Sequence, residues 1–280
     1  MTQMINPHQP QPTSLSALAR SLIKNRQLIY QMTRREIIGR YKGSVFGLAW
    51  SFFNPIVMLV IYTFVFSVVF KARWGVSGAD SKTEFALILF VGLIVFNLFA
   101  ETINRAPGLI LSNVNYVKKV VFPLEILIVI NFGTAFFHAF ISFLVILIAF
   151  FLISGFINWT VIFLPIVIFP YVLLILGISW FIASLGVFVR DIGQSIGMVT
   201  MLLMFLSPVL YPITAVPKKF QTWILINPVS FMVEQARAVM VFGELPDWFG
   251  LSLYFVFSIL MLMIGFSWFQ KTRKGFADVI

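Results

Sequence analysis

Glu101, Glu125 and His138 are the ionisable residues that fall within, or at the ends of, long apolar runs, and chemistry is sought there first. Proton- and sodium-coupled carriers place carboxylates near the bilayer midplane as relays or ion ligands. Both glutamates lie near the ends of their runs, and His138 stands alone in its own, so its expected role is a hydrogen bond between helices. The sequence contains no GxxxxGK[ST] loop to cradle nucleotide phosphates. With His8 and His138 the only histidines and no cysteine, neither a metal-ligand set nor a nucleophile–base pair is in sight. The chain therefore reads as one with no catalytic residue, cofactor or metal of its own, rather than as an enzyme.

Other groups have the spacing to bind or transmit. On the first apolar run Met58, Tyr62, Phe66 and Phe70 share a helical face; on the fifth, Met201, Met204, Pro208 and Tyr211 share another. Such stripes commonly pack or face lipid, as most of the 33 Phe must. Aromatic rings also stack on the apolar faces of sugars, which makes these stripes candidate walls of a translocation path. Residues 14–42 form a cationic amphipathic stretch, with Leu15, Leu18, Leu22 and Ile29 at helical spacing. It is either a lipid anchor or a platform for a cytoplasmic partner, and the mixed-sign cluster Arg34, Arg35, Glu36, Arg40 and Lys42 exceeds what orientation requires. Arg190 and Asp191 stand where the fourth run ends, and Asp191 with Gln194 has the spacing of a capping box. Anchor, cap and partner contact are compatible roles there. Gly39, Gly43 and Gly47, and again Gly193 and Gly197, recur every four residues, which predicts close helix packing.

The elements that position these residues follow from composition. Hydrophobic residues make up 60% of 280, and charged residues only 11%. No soluble fold has enough polar surface at that ratio, so the chain is read as an integral membrane protein. The apolar runs are long and unbroken, as helical spans of about 20 residues require, rather than the short alternating strands of a barrel. Spans are predicted over about 50–70, 85–103, 126–153, 161–189, from 194 to a break at Pro208, and 249–269. Residues 1–49 then form a cytoplasmic segment carrying the interface helix, 50–269 an all-α six-span domain, and 270–280 a tail. Residues 1–13 are polar and proline-containing, unlike a signal peptide.

Most of the 20 Lys and Arg lie before the first span, between spans two and three, or after the last. Both termini should therefore be cytoplasmic. The net charge of +10 sits beside spans rather than on one soluble face, which speaks against a nucleic-acid partner. The apolar segment 208–248 is broken by Pro208, Pro212 and Pro217, and Asn227 with Pro228 reads as an N-cap followed by proline at the first helical position. It predicts two short helices that dip into the outer half of the membrane or cap a cavity.

Four segments carry a resemblance: RREIIGRYKGSVFGLAWSFFNP (34–55), NYVKKVVFPLEI (115–126), VRDIGQ (189–194) and NPVSFMVEQAR (227–237). Together they resemble the type-2 ATP-binding-cassette exporter permeases, and among these the exporters of lipid-linked polysaccharide such as O-antigen. The resemblance implies a homodimer in the bacterial inner membrane, driven by two copies of a separate ATPase that holds the ATP and Mg. It implies ATPase coupling through Arg34, Arg35, Glu36, Arg40, Lys42, Lys118 and Lys119, with Arg190 and Asp191 beside them. The path would be lined by Tyr62, Phe66, Phe70, Met201, Met204 and Tyr211. An outer gate would be formed by two short helices at 217–226 and 228–241, with Pro212, Trp223, Asn227, Pro228, Glu234 and Arg237. Export of teichoic acid, capsule or hydrophobic drugs is the alternative within this architecture. A stand-alone secondary transporter or lipid scramblase is the alternative outside it, and a membrane enzyme would need a catalytic cluster that the sequence lacks.

Overall fold

The computed structural model describes residues 12–69, 82–118 and 122–280, and every regular element among them is helical. Two short helices come first. Ser14 caps α1 (Leu15–Lys24) by accepting from the Ala17 amide, and α2 (Arg26–Tyr41) follows directly. Leu18 and Met32 are their buried residues. After a turn in which Gly43 and Gly47 hold φ of 87° and 49°, a region closed to most side chains, the chain enters α3 (Trp50–Tyr62). Its end widens into a π-helical stretch, Thr63–Val69.

The remaining elements are α4 (Lys82–Leu109), the single turn α5 (Val114–Val117), α6 (Ile126–Ser154), α7 (Leu164–Phe188), α8 (Ile192–Leu206), α9 (Lys218–Ile226), α10 (Pro228–Arg237), α11 (Trp248–Thr272) and α12 (Phe276–Val279). Five stretches are long and apolar enough to cross a membrane: Gly47–Val65, Phe85–Leu109, Ile126–Ser154, Trp159–Phe188 and Trp248–Val279. These answer to the expected spans one to four and six. A sixth is counted if α9 and the helix Pro228–Phe242, bent by 98° at Asn227, make one broken span.

The expected fifth span is shorter than the bilayer. The 15 residues of α8 rise about 22 Å, against about 30 Å of hydrocarbon. Pro208 stops it, because a proline pushes the residue before it out of helical geometry, and Ser207 is extended (φ −107°, ψ 150°).

Helix α4 is the axis of the bundle. It touches α3, α6, α7, α8 and α10 and is buried along most of its length. The closest packing joins α7 to α11, where a Cβ on Gly265 would stand 1.9 Å from the Gly177 carbonyl oxygen. A Cβ on Gly186 would likewise stand 2.2 Å from the Pro107 carbonyl oxygen, seating α7 on the end of α4. Among the described residues nothing lies within 4 Å of a Cβ at Gly39, Gly43, Gly47 or Gly197, and Gly193 meets only the Pro107 side chain at 3.9 Å. They fall on the exposed side of α2, in the turn before α3 and at the start of α8, whereas the contact lies where long helices cross. Helices α3 and α8 present exposed apolar faces, including Phe53, Val57, Val60, Met198, Met201 and Leu202.

Candidate functional site

Three polar knots and one cavity join the helices, and two of the knots and the cavity involve α4. The first knot fastens α2 to the bundle. Arg40 pairs with Glu101 and Glu36 with Arg105, two ion pairs that join consecutive turns of α2 to consecutive turns of α4. Arg35 donates to the Tyr116 hydroxyl at 3.1 Å. His138 on α6 completes the group, with Nδ1 3.0 Å from Glu101 Oε1 and Nε2 3.2 Å from the Tyr41 hydroxyl. Burial raises the Tyr41 phenol above its ordinary range. Arg40 Nη1 also lies 3.1 Å from Nδ1, so the imidazole stands among a carboxylate, a guanidinium and a phenol. His138 thus bridges helices, as expected, and its partners come from two other helices.

The residues expected to couple therefore divide. Arg35, Glu36 and Arg40 are engaged within the chain, while Arg34, Lys42 and Lys118 are exposed, as are Arg190 and Asp191 at the α7–α8 corner. Lys119 lies outside the described residues. Asp191 occupies the N-cap position of α8, but its carboxylate makes no capping hydrogen bond. Its backbone is already in helical geometry (φ −70°, ψ −12°), whereas a side-chain cap calls for extended backbone.

The second knot went unrecognised in the sequence. Glu125, just before α6, accepts from Ser21 of α1 at 2.7 Å and from Arg273 after α11 at 2.8 Å. Arg273 also donates to the Phe122 carbonyl at 2.8 Å, and the Trp180 indole donates to the Glu125 carbonyl at 3.1 Å. Phe276 of α12 is buried against Phe188 and Phe269, so the tail is folded onto the bundle.

The third knot lies at the other end of α4. Arg237 is fully buried and donates to the carbonyls of Ile88 (3.0 Å), Pro208 and Val209 (2.7 Å), with Glu234 at 2.9 Å. Its guanidinium lies over Gly92, where a Cβ would come within 2.5 Å of Nη2. The carbonyls freed by the Pro208 break thus find their donor in an arginine from α10. Asn227 behaves as expected, its Oδ1 accepting from the Val229 amide at 3.0 Å ahead of Pro228. Its Nδ2 also donates to Ser207 Oγ at 2.8 Å, a second tie from the short helices to the end of α8. Pro212 is half-buried and Trp223 largely exposed.

A cavity of about 540 Å3 opens between α2, α3, α4 and α6. Of the expected path residues Tyr62 lines it, together with Met58. Met201 is exposed on α8, Met204 is half-buried, and Tyr211 donates to the Phe205 carbonyl at 2.9 Å, closing the last turn of α8. Phe66 falls in the π-helical stretch, and Phe70 lies outside the described residues. The polar lining includes Asn54, Asn97 and Asn104, which the sequence reading passed over. Their signal was present: Asn97, Glu101 and Asn104 follow one another at helical spacing within an apolar run. Among the described residues no group of three His, Asp or Glu stands together as a metal site would require.

Comparison with known proteins places this geometry in a family. The family model described as ABC-2 type transporter matches residues 27–241, from the start of α2 to the end of α10 and its π turn. The O-antigen export system permease protein RfbA of Klebsiella pneumoniae is 27% identical over 256 residues, covering 90% of this chain and 95% of that protein. The permease of the same name from Myxococcus xanthus is 25% identical, covering 94% and 99%. The polysialic acid transport protein KpsM of Escherichia coli is 24% identical, covering 86% and 92%.

Proposed function

Because the chain belongs to the ABC-2 type transporter family, we propose that it is the multi-pass membrane subunit of an ATP-driven exporter of lipid-linked polysaccharide. Relatives named for O-antigen export and polysialic acid transport, each matched over nearly its full length, support the polysaccharide class. Two copies of this chain work with two copies of an ATPase that holds the ATP and Mg, in the bacterial inner membrane with both termini in the cytoplasm. The bias of Lys and Arg toward the termini side supports that orientation.

One observation carries the mechanism: α2 is joined to α4 by the Arg40–Glu101 and Glu36–Arg105 pairs. A partner pressing on the exposed Arg34 and Lys42 moves α2, and the two ion pairs deliver that movement to α4. From Glu101 to Ile88 the helix rises about 20 Å, ending where Arg237 holds the α8 break and α10 together. Nucleotide-driven motion at one end is thereby passed to the short helices α9 and α10, which act as the outer gate. Neither α3 nor α8 contains a charged residue, which favours an uncharged polymer over a polyanion. A path without fixed charges holds each repeat weakly enough to let it advance.

The test is reconstitution of the chain with its ATPase in sealed vesicles carrying lipid-linked polysaccharide on one leaflet. ATP-dependent appearance of polymer on the other side is expected. Export that proceeds from the chain without the ATPase would replace this reading with a secondary transporter or scramblase.

A further inference from the structure

We propose that the corner where α1 meets the end of α11 binds the headgroup of an anionic phospholipid, whose acyl chain lies along α11. The site goes beyond the export reading and does not depend on it. Two ties hold α1 beside α11. The Ser267 hydroxyl donates to the Thr13 carbonyl just ahead of α1 at 3.3 Å, and Ser21 and Arg273 meet on the Glu125 carboxylate at 2.7 and 2.8 Å. From Thr13 to Ser21 the chain advances about 12 Å, and from Ser267 to Arg273 about 9 Å, so the two segments run side by side in the same direction. Arg20 stands between the ties on α1 and Lys271 between them on α11, with Lys24 and Lys274 each about one turn further on. All four are exposed.

Charge makes this corner a place for an anion. Of residues 12–26 and 267–280, six are Lys or Arg and one, Asp278, is acidic. Glu125, the carboxylate that the fold brings between the two segments, is already taken by Arg273 and Ser21. Orientation in a membrane asks only that Lys and Arg lie on one side of it. It does not ask that cations from opposite ends of the chain be fastened together, and like charges held this way repel until a counter-anion joins them. The surroundings identify that anion as a lipid. Leu260, Ile264 and Lys271 follow one another at helical spacing on the exposed side of α11, and Trp268, 41% exposed, stands beside them. Toward the end of the helix that face passes from aliphatic side chains through an indole to a cation. Acyl chain, interface and phosphate follow one another in the same order. A free phosphate would use only the last of these.

The experiment measures lipid retention and needs neither ATPase nor export. The full chain is placed in nanodiscs of phosphatidylcholine and phosphatidylglycerol in equal amounts, and lipids that remain bound on ejection are identified by native mass spectrometry. Phosphatidylglycerol should be enriched at least about tenfold among them. Raising ammonium acetate to about 0.5 M should shrink the enrichment by screening, whereas inorganic phosphate at millimolar concentration should leave it unchanged. Arg20→Gln with Lys24→Gln, and Lys271→Gln with Lys274→Gln, should each abolish most of the enrichment. All four substitutions together should remove little more, because both pairs hold one headgroup. Lys218→Gln with Lys219→Gln, exposed cations on α9, should leave the enrichment intact. Equal retention of the two lipids, insensitivity to salt, displacement by inorganic phosphate, partial losses that add between the two pairs, or an equal loss in the α9 variant would each overturn the site. The wild-type measurements decide it even where a variant fails to fold.

Discussion

Replacing Arg237 by methionine should loosen the outer end of the bundle without disturbing the α2 end. The side chain keeps its reach but loses every donor, leaving the Ile88, Pro208 and Val209 carbonyls without the hydrogen bonds it supplies. Hydrogen bonds to a charged group are worth about 1.5–3 kcal/mol each, so the three sum to roughly 5–9 kcal/mol. Against this, the variant no longer buries a guanidinium, a cost of several kcal/mol, and the net loss settles near the 3–5 kcal/mol typical of a broken buried pair. Thermal unfolding in nanodiscs should fall by on the order of 10 °C. Hydrogen exchange should quicken at Val209 and across α10 while remaining slow across α2 and α6. Arg237→Lys should recover only part of the loss, because a point charge cannot span three carbonyls as the planar fork does. Gly92→Ala supplies the cross-check, since its Cβ would stand 2.5 Å from Nη2 and displace the guanidinium. It should cost nearly as much as Arg237→Met alone and add almost nothing in the double variant. An Arg237→Met protein that melts within about 2 °C of wild type with unchanged exchange, or additive losses in the double variant, would refute the knot as the anchor of the α8 break.

Three further outcomes follow from the packing and the ion pairs. Gly265→Val should prevent the α7–α11 contact, because even a Cβ meets the Gly177 carbonyl oxygen at 1.9 Å; loss of monodisperse protein on size-exclusion chromatography checks it, and a well-behaved variant would contradict the close approach. Glu36→Arg should weaken polymer export per ATP hydrolysed, and Glu36→Arg with Arg105→Glu should restore it; the stability change stays within about 1 kcal/mol because the pair is partly exposed. Arg273→Ala should free the tail and quicken hydrogen exchange in α12 and in α1 together, because both are tied through Glu125; exchange that changes in one alone would separate them.

The individual helices were legible because each is a local property. Asn227 and Pro228 mark a helix start, and that N-cap forms as the spacing predicts, with Asn227 accepting from the Val229 amide two residues on. Pro208 announced its break, although not that α8 would end short of the bilayer thickness. Among the described residues the closest approach is made by Gly177 and Gly265, which belong to no four-residue glycine repeat and are 88 residues from one another in sequence, so only the partner's position marks them.

The sequence by itself determined that this chain lives in a membrane, that its spans are helical, and that a cationic helix precedes them. Composition and periodicity suffice for that, since a bilayer forces every backbone group into local hydrogen bonds. What the tertiary structure decided is which charges meet. Arg40 finds Glu101 across 61 residues, Glu125 finds Arg273 across 148, and Arg237 finds the Ile88 carbonyl across 149. A buried charge or amide takes its meaning from whatever satisfies it, and in this fold those partners come from helices that no periodicity connects.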